Sequence, residues 1–232
     1  MKVAILAGGL GTRLGSLTKN TPKSMVRICG KPFLEYQLDL LRRNALEQIV
    51  LCVGYLKEQI ESYFGDGSRF GVRIEYSEED RPLGTAGALR KAEGLLGNEF
   101  LVLNGDSYLP IDYGEVVERY RLANKLGLMV VYQNNNRYDK SNAMIAGGLV
   151  TSYDRSGQTP NLRYIDYGLS VLSKKTLQSV PRGEFCQLDE VYRELIRRSE
   201  LAAFETGIRF YEIGSPRGLQ EFTNLIERGQ IL

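Results

Sequence analysis

The sequence predicts an α/β fold in a single domain of 232 residues, with a central, mostly parallel mixed sheet flanked by helices. Three observations predict it. Short apolar runs alternate with segments of helical periodicity. The runs are nearly continuous in Val, Ile and Leu, as strands covered on both faces require. The glycine-rich loop and the Asn104-Gly105-Asp106 turn both follow strands, on the rim where open α/β sheets bind their ligands.

The first strand is expected over 2–6 and runs into Ala7, Gly8, Gly9 and Gly11. Pro32 suits a first helical turn, and Phe33, Leu34, Leu38 and Leu41 recur at helical spacing, so a helix is expected over 32–44. Ile49, Val50, Leu51 and Val53 make a second strand over 48–53. A short helix over 57–64 stops at Gly65-Asp66-Gly67, and a third strand covers 72–76. Gly84-Thr85 opens a helix over 85–96, and a fourth strand over 100–103 ends just before Asp106. The second half is less regular. Helices are expected over 111–125, 188–198 and 219–228, and strands over 128–132, 143–153 and 209–213, with a polar loop over 133–140. No linker and no internal repeat interrupts the chain.

The glycine loop carries the clearest chemistry. Glycines lack Cβ and let the backbone approach a ligand closely. Consecutive N–H groups in such a loop form a concave anion site. Arg13 and Lys23 add two cations, which suits a polyphosphate. The Walker pattern Gly-x4-Gly-Lys-[Ser/Thr] is absent. The dinucleotide fingerprint fails too, because Leu14 stands where its third glycine belongs.

Leu6-Ala7-Gly8-Gly9-Leu10-Gly11-Thr12-Arg13-Leu14, followed by Pro22-Lys23, resembles the N-terminal signature of the sugar-1-phosphate nucleotidylyltransferases. Gly30-Lys31-Pro32, Pro82-Leu83-Gly84-Thr85-Ala86-Gly87, Asn104-Gly105-Asp106 and Ile213-Gly214-Ser215-Pro216 resemble the later segments of that family. The resemblance implies a Rossmann-like, GT-A-like nucleotidyltransferase fold without the C-terminal β-helix of longer members. It divides the chain into a nucleotide-binding half, about 1–110, and a sugar-phosphate-binding half, about 111–232. It implies nucleotide contacts from Leu6, Ala7, Gly8, Gly9, Gly11, Thr12, Gly84, Thr85, Ala86 and Gly87, with Arg13 and Lys23 as catalytic cations.

The same resemblance implies Mg²⁺, which prefers one or two carboxylates plus phosphates. Asp106 is the first candidate ligand; the alternative for it is a turn residue. Glu212 is the second, where relatives usually carry Asp; the alternative is a solvated strand-end carboxylate. On the sugar side, relatives have Glu-Lys-Pro where this chain has Tyr153-Asp154-Arg155. Asp154 and Arg155 are either functional substitutes or a surface turn. Asp166 falls in the sugar-contacting segment and would be costly if buried unpaired.

The composition fits an enzyme of this kind. Hydrophobic content is 43% and charged content 25%, as in ordinary globular proteins. A net charge of +2 argues against a nucleic-acid partner. No run reaches 18 apolar residues, so no membrane span is expected, and residues 1–8 do not read as a signal peptide. Three scattered cysteines point to reduced thiols and a cytoplasmic protein. A homo-oligomer is compatible with all of this. The chain has no histidine, which removes Ser-His and Cys-His nucleophiles and His-ligated zinc.

The expectation is therefore Mg²⁺-dependent nucleotidyl transfer from an NTP to a sugar 1-phosphate. Backbone groups of Gly84 to Gly87 would read the base, and their glycines would leave room for a purine. GTP and a heptose- or mannose-type phosphate come first. The alternatives are a cytidylyl-, thymidylyl- or uridylyltransferase of the same fold, or a regulatory homologue that binds nucleotide without turnover.

Overall fold

Val3 and Ile5 are fully buried on one side of a central sheet and Ala4 on the other, the arrangement an uninterrupted apolar strand needs. The computed structural model describes residues 1–9 and 11–230; Leu10 of the glycine loop lies outside them. Its strands are β1 (Lys2–Leu6), β2 (Arg27–Ile28), β3 (Lys31–Pro32), β4 (Gln48–Val53), β5 (Arg73–Glu78), β6 (Glu99–Asn104), β7 (Ser107–Tyr108), β8 (Gly127–Gln133), β9 (Ala143–Ala146), β10 (Leu149–Tyr153), β11 (Tyr164–Ser173), β12 (Leu201–Thr206) and β13 (Tyr211–Glu212). Its α-helices are α1 (Phe33–Arg43), α2 (Lys57–Phe64), α3 (Gly84–Lys91), α4 (Tyr113–Ala123), α5 (Leu188–Arg197) and α6 (Pro216–Glu227).

Nine strands form one sheet in the order β5-β4-β1-β6-β11-β8-β12-β10-β9. The first four are parallel. β11 runs antiparallel between β6 and β8, and β12 lies parallel to β8. The β9–β10 hairpin closes the far edge. The sheet is thus mixed, with its parallel block in the first half of the chain.

Helices cover both faces. Phe33, Leu34, Leu38 and Leu41 of α1 pack on one face with Ile60 of α2, Val116 of α4 and Phe222 of α6. The Phe222 ring meets Phe33 and Tyr108 at 5.1 Å between centroids. Ala86, Ala88 and Leu89 of α3 pack on the other face with Val191, Tyr192 and Leu195 of α5. Each such large side chain contributes about 1.5–3 kcal/mol by leaving water.

Two strands of the nine-stranded sheet escape the sequence reading. Asp166, Gly168 and Ser170 interrupt the apolar pattern of β11, because the strand bulges there: the register against β8 shifts between Asp166 and Ser170, and Gly168 has φ +87°. β12 carries Ala202 and Ala203, which have little strand propensity, yet it is held between β8 and β10. The strand expected over 143–153 is a hairpin that turns at Gly147-Gly148. That expected over 209–213 shrinks to β13, which pairs with β7 outside the main sheet. The helix expected over 85–96 ends at Lys91, followed by a 3-10 turn over Ala92–Gly94.

Candidate active site

A cleft of about 770 Å³ opens where β1 and β6 end. Leu6, Ala7, Gly8 and Gly9 line it from the glycine loop, Arg13 and Lys23 from the segment that follows, and Asp106 from the turn after β6. A Cβ at Gly9 would meet no atom within 4 Å, so its backbone stands open to the cleft.

Asp106 is held in place by its neighbours. Gly105 donates its N–H to the Leu6 carbonyl at 3.0 Å, and a Cβ at Gly105 would lie 2.6 Å from that oxygen, so only glycine fits. Gln37, buried on α1, donates its side-chain amide to the carbonyls of Asn104 at 2.9 Å and Ser107 at 2.7 Å. The Ile213 N–H donates to the Asp106 carbonyl at 2.9 Å, which brings β13 and Glu212 alongside.

The charged groups converge. Lys23 Nζ donates to Asp106 Oδ2 at 2.7 Å. A Cβ placed on Gly214 would lie 2.7 Å from Arg13 Nη2, 2.8 Å from Glu212 Oε2 and 3.1 Å from Asp106 Oδ2. Two carboxylates and one guanidinium therefore face one small volume, from three segments far apart in the chain. Glu212 accepts from the Gly214 N–H and the Ser215 hydroxyl, at the N-terminus of α6. Ser215 caps that helix through the Gly218 N–H at 3.0 Å, and Pro216 fills its first turn.

The segment over 84–87 is used differently from expectation. Gly84 and Thr85 line the cleft, but the N–H groups of Ala86 and Gly87 both donate to the Cys186 carbonyl, at 3.0 and 3.1 Å. A Cβ at Gly84 would lie 2.5 Å from the Cys186 oxygen, and one at Gly87 would lie 2.8 Å from the Glu184 oxygen. These glycines admit the backbone of 184–186. Thr85 Oγ1 accepts from the Leu188 N–H at 2.7 Å, so it serves the N-terminus of α5. Gly11 and Thr12 are not among the cleft-lining residues; Gly11 has φ +65° and its carbonyl accepts from Thr18 Oγ1 at 2.8 Å.

The acceptor-side residues part ways. Asp154 lies outside the cleft lining and organises its own turn, accepting from Ser156 Oγ at 2.6 Å and from Thr159 N and Oγ1 at 2.8 Å. These bonds hold its carboxyl well below the usual range. Arg155 lines the cleft and donates to Gln187 Oε1 at 3.1 Å. Asp166 also lines it, accepting from the Gly168 N–H at 2.9 Å and the Tyr153 hydroxyl at 3.3 Å. Burial pushes the Asp166 carboxyl up to about 6.

The nucleotidyl transferase family profile matches residues 2–140. The chain belongs to that family. It is 31% identical over 223 residues to the D-glycero-alpha-D-manno-heptose 1-phosphate guanylyltransferase of Campylobacter jejuni, covering 96% of this chain and 98% of that protein. It is 30% identical over 223 residues to the mannose-1-phosphate guanylyltransferase catalytic subunit beta of Xenopus tropicalis, covering 94% of this chain and 62% of that longer protein. The crystal structure of HddC from Yersinia pseudotuberculosis complexed with GMP-PN superposes with a TM-score of 0.80 at 28% identity, covering 97% of this chain and 99% of that one.

For a nucleotidyl transferase, the residue most easily missed is Glu79. It lines the cleft, and a Cβ at Gly8 would lie 2.9 Å from its Oε1, so its carboxylate stands against the glycine loop. Its Oε2 accepts from the Leu83 N–H at 2.8 Å, and burial raises its pKa above the ordinary carboxylate value. In sequence it sits in Glu78-Glu79-Asp80, which reads as a solvated turn; only its place one residue past β5 marks it. Gln187 was also missed, and it joins Thr85 to Arg155 through Oε1, at 3.1 Å each.

Proposed function

We propose that this chain transfers guanylyl groups from GTP to a heptose- or mannose-type 1-phosphate, giving the nucleotide sugar and pyrophosphate. The observation that carries the reaction is the convergence of Arg13, Asp106 and Glu212 on one point, with Lys23 on Asp106. A sugar-phosphate oxygen bonds to the α-phosphorus as the bond from that phosphorus to the β-phosphate bridging oxygen breaks. The acceptor phosphate is already ionised at neutral pH, so no general base is needed, in keeping with the absence of histidine.

Asp106 and Glu212 fit a magnesium ion: both are hard oxygen donors, and Asp106 already holds a cation, the Lys23 ammonium, at 2.7 Å. Bound there, magnesium would supply charge neutralisation at the α-phosphate. Arg13 stabilises the departing pyrophosphate through a planar fork that suits phosphate oxygens. Lys23 is positioned to move from Asp106 to the phosphates as they enter. The glycine loop, with the open backbone of Gly9, cradles the triphosphate. Arg155 faces the acceptor phosphate, and Asp166 a sugar hydroxyl.

Glu79 supports guanine. A carboxylate only accepts hydrogen bonds. The Watson–Crick edge of guanine offers two adjacent donors, N1–H and N2–H₂. Uracil and thymine offer one donor between two carbonyls, which a carboxylate repels. Pyrophosphate release measured with four triphosphates and a panel of sugar 1-phosphates tests the reading. GTP with a heptose or mannose 1-phosphate is expected to turn over, and Glu79→Gln to raise the GTP KM by roughly 10–100-fold, the usual worth of a lost bidentate base contact. A preference for UTP or dTTP in the wild type overturns the guanylyl assignment, and silence with every pair overturns the reaction.

A further inference from the structure

A second cavity, of about 470 Å³, lies behind the loop that walls the catalytic cleft. The loop alternates sides. Glu79, Pro82 and Gly84 face the cleft, whereas Asp80, Arg81 and Leu83 face the second cavity. No residue lines both.

Four cations from three segments meet in this cavity. Arg81 comes from the loop, Arg90 and Lys91 from the last turn of α3, and Arg182 from the segment before α5. Arg90 and Lys91 alone would be an ordinary helix C-terminus, where cations suit the dipole. Arg81 and Arg182 have no such reason to be there. The opposing carboxylates are fewer: Asp80 pairs with Lys91 at 3.0 Å, and Glu93 bridges Arg90 at 2.8 Å and Arg182 at 2.9 Å. Arg90 is the deepest of these cations, with 13% of its side chain exposed, and its Nε is buried with no hydrogen-bond partner. Four cations facing two carboxylates leave an excess of positive charge around the cavity, which suits an anionic ligand. The volume lies within the range of small-molecule sites.

We propose that this cavity binds a small phosphorylated anion, and that its occupancy raises the affinity of the catalytic cleft for the nucleoside triphosphate. The link is built into the backbone. Arg81 already donates to the Gly183 carbonyl at 2.6 Å, the Cys186 N–H donates to the Leu83 carbonyl at 2.8 Å, and the Leu83 N–H is held by Glu79. An anion shared by Arg81 and Arg182 ties the same two strips of chain together. Pro82 and Gly84 on one strip, and Phe185 and Gln187 on the other, form the cleft wall. Ordering that wall beforehand removes entropy that the triphosphate would otherwise lose on binding.

The proposal requires a triphosphate-binding cleft but neither GTP nor a particular sugar, so its test runs with whichever triphosphate binds. Nε–Hε resonances of the ¹⁵N-labelled enzyme are followed with the cleft filled by that triphosphate and Mg²⁺, the Arg90 peak being assigned through Arg90→Lys. Inorganic phosphate is expected to shift the Arg90 peak saturably in the wild type and not in the Arg81→Ala/Arg182→Ala double variant. Glycerol 3-phosphate in a parallel arm distinguishes a phosphate ester from free phosphate as the preferred form, and either one binding supports the site. In kinetics, saturating phosphate is expected to lower the triphosphate KM about fivefold, the low end of coupling between linked sites, and to leave the double variant unmoved. A shift that persists in the double variant, disappears once the cleft is filled, or is matched by chloride at equal ionic strength overturns the site. A KM unchanged while phosphate is bound overturns the regulation.

Discussion

The two halves of this molecule build their share of the cleft in different ways. In the first half, four parallel strands each deliver a loop to the same rim, so the chemistry follows chain order: strand, then loop, then functional residue. Gly9, Arg13, Lys23 and Asp106 arrive this way. In the second half, β11 enters the sheet antiparallel between β6 and β8, and Asp166 reaches the cleft from a bulge inside that strand. Arg155 comes from the turn after β10, and Gln187 from the cap of α5. A local spacing rule reads the first arrangement and fails on the second.

The charged centre of the cleft carries the largest expected effect. Asp106→Asn keeps the shape and removes the charge, and leaves Lys23 without its partner. Turnover is expected to fall by roughly three decades, with Arg13→Ala and Lys23→Ala within two to four decades of wild type, as for other preorganised charge-stabilising groups. Pyrophosphate release measures this, and circular dichroism verifies the fold. Near-normal turnover in Asp106→Asn would rule out the proposed metal-holding role of this carboxylate.

The glycines separate structure from function within the first half alone. Gly84→Ala places a methyl 2.5 Å from the Cys186 carbonyl at φ +72°, and is expected to cost about 2–4 kcal/mol of stability. Gly9→Ala meets nothing within 4 Å and is expected to melt within a degree or two of wild type while binding triphosphate more weakly. Denaturant titration beside triphosphate KM values checks both. Equal stability losses in the two variants would erase the distinction.

These contrasts show how much of the molecule was legible in its residues. The parallel block was, because apolar strands buried on both faces and helical periodicity are local properties. So was the cluster of Arg13, Lys23 and Asp106, because each lies beside glycine or proline punctuation. β11 was not, since a bulge that aims Asp166 inward must break the pattern that marks a strand. Glu79 was hidden among neighbouring acids. Gly87 read as a ligand contact although it clears a path for Glu184, which lies 97 positions later in the chain. No short-range pattern carries that contact.

Asp154 and Arg155 sharpen the second half, because adjacent residues have opposite fates. Arg155→Ala is expected to raise the acceptor KM about tenfold, the effect of one lost surface-accessible charge contact, with triphosphate KM nearly unchanged. Asp154→Ala loosens only the turn it organises, and is expected to leave both KM values within about twofold. Steady-state kinetics with each substrate varied in turn decides it; a large acceptor effect from Asp154→Ala would give the turn a role in binding.

The smallest expected effect tests the bulge itself. Burial holds the Asp166 carboxyl near 6, above its unfolded value of 3.8. The folded state therefore binds this proton more tightly than the unfolded chain does. The contribution to stability is fully present below about pH 4 and is lost as pH rises through about 6. A shift of that size corresponds to an upper bound of ~3 kcal/mol. Asp166→Asn carries no charge and so escapes the loss, but it weakens the bonds from Gly168 and Tyr153 that hold the carboxylate. The net gain at pH 7 is expected to be about 1 kcal/mol, with less or none at pH 4. Thermal melts of both proteins between pH 4 and 8 read it directly: the gap should open between pH 4 and 6 and then stay constant. A gap that is flat across the range would mean that Asp166 is solvated and that the bulge does not bury it, while weaker acceptor binding in the same variant would still mark it as part of the sugar site.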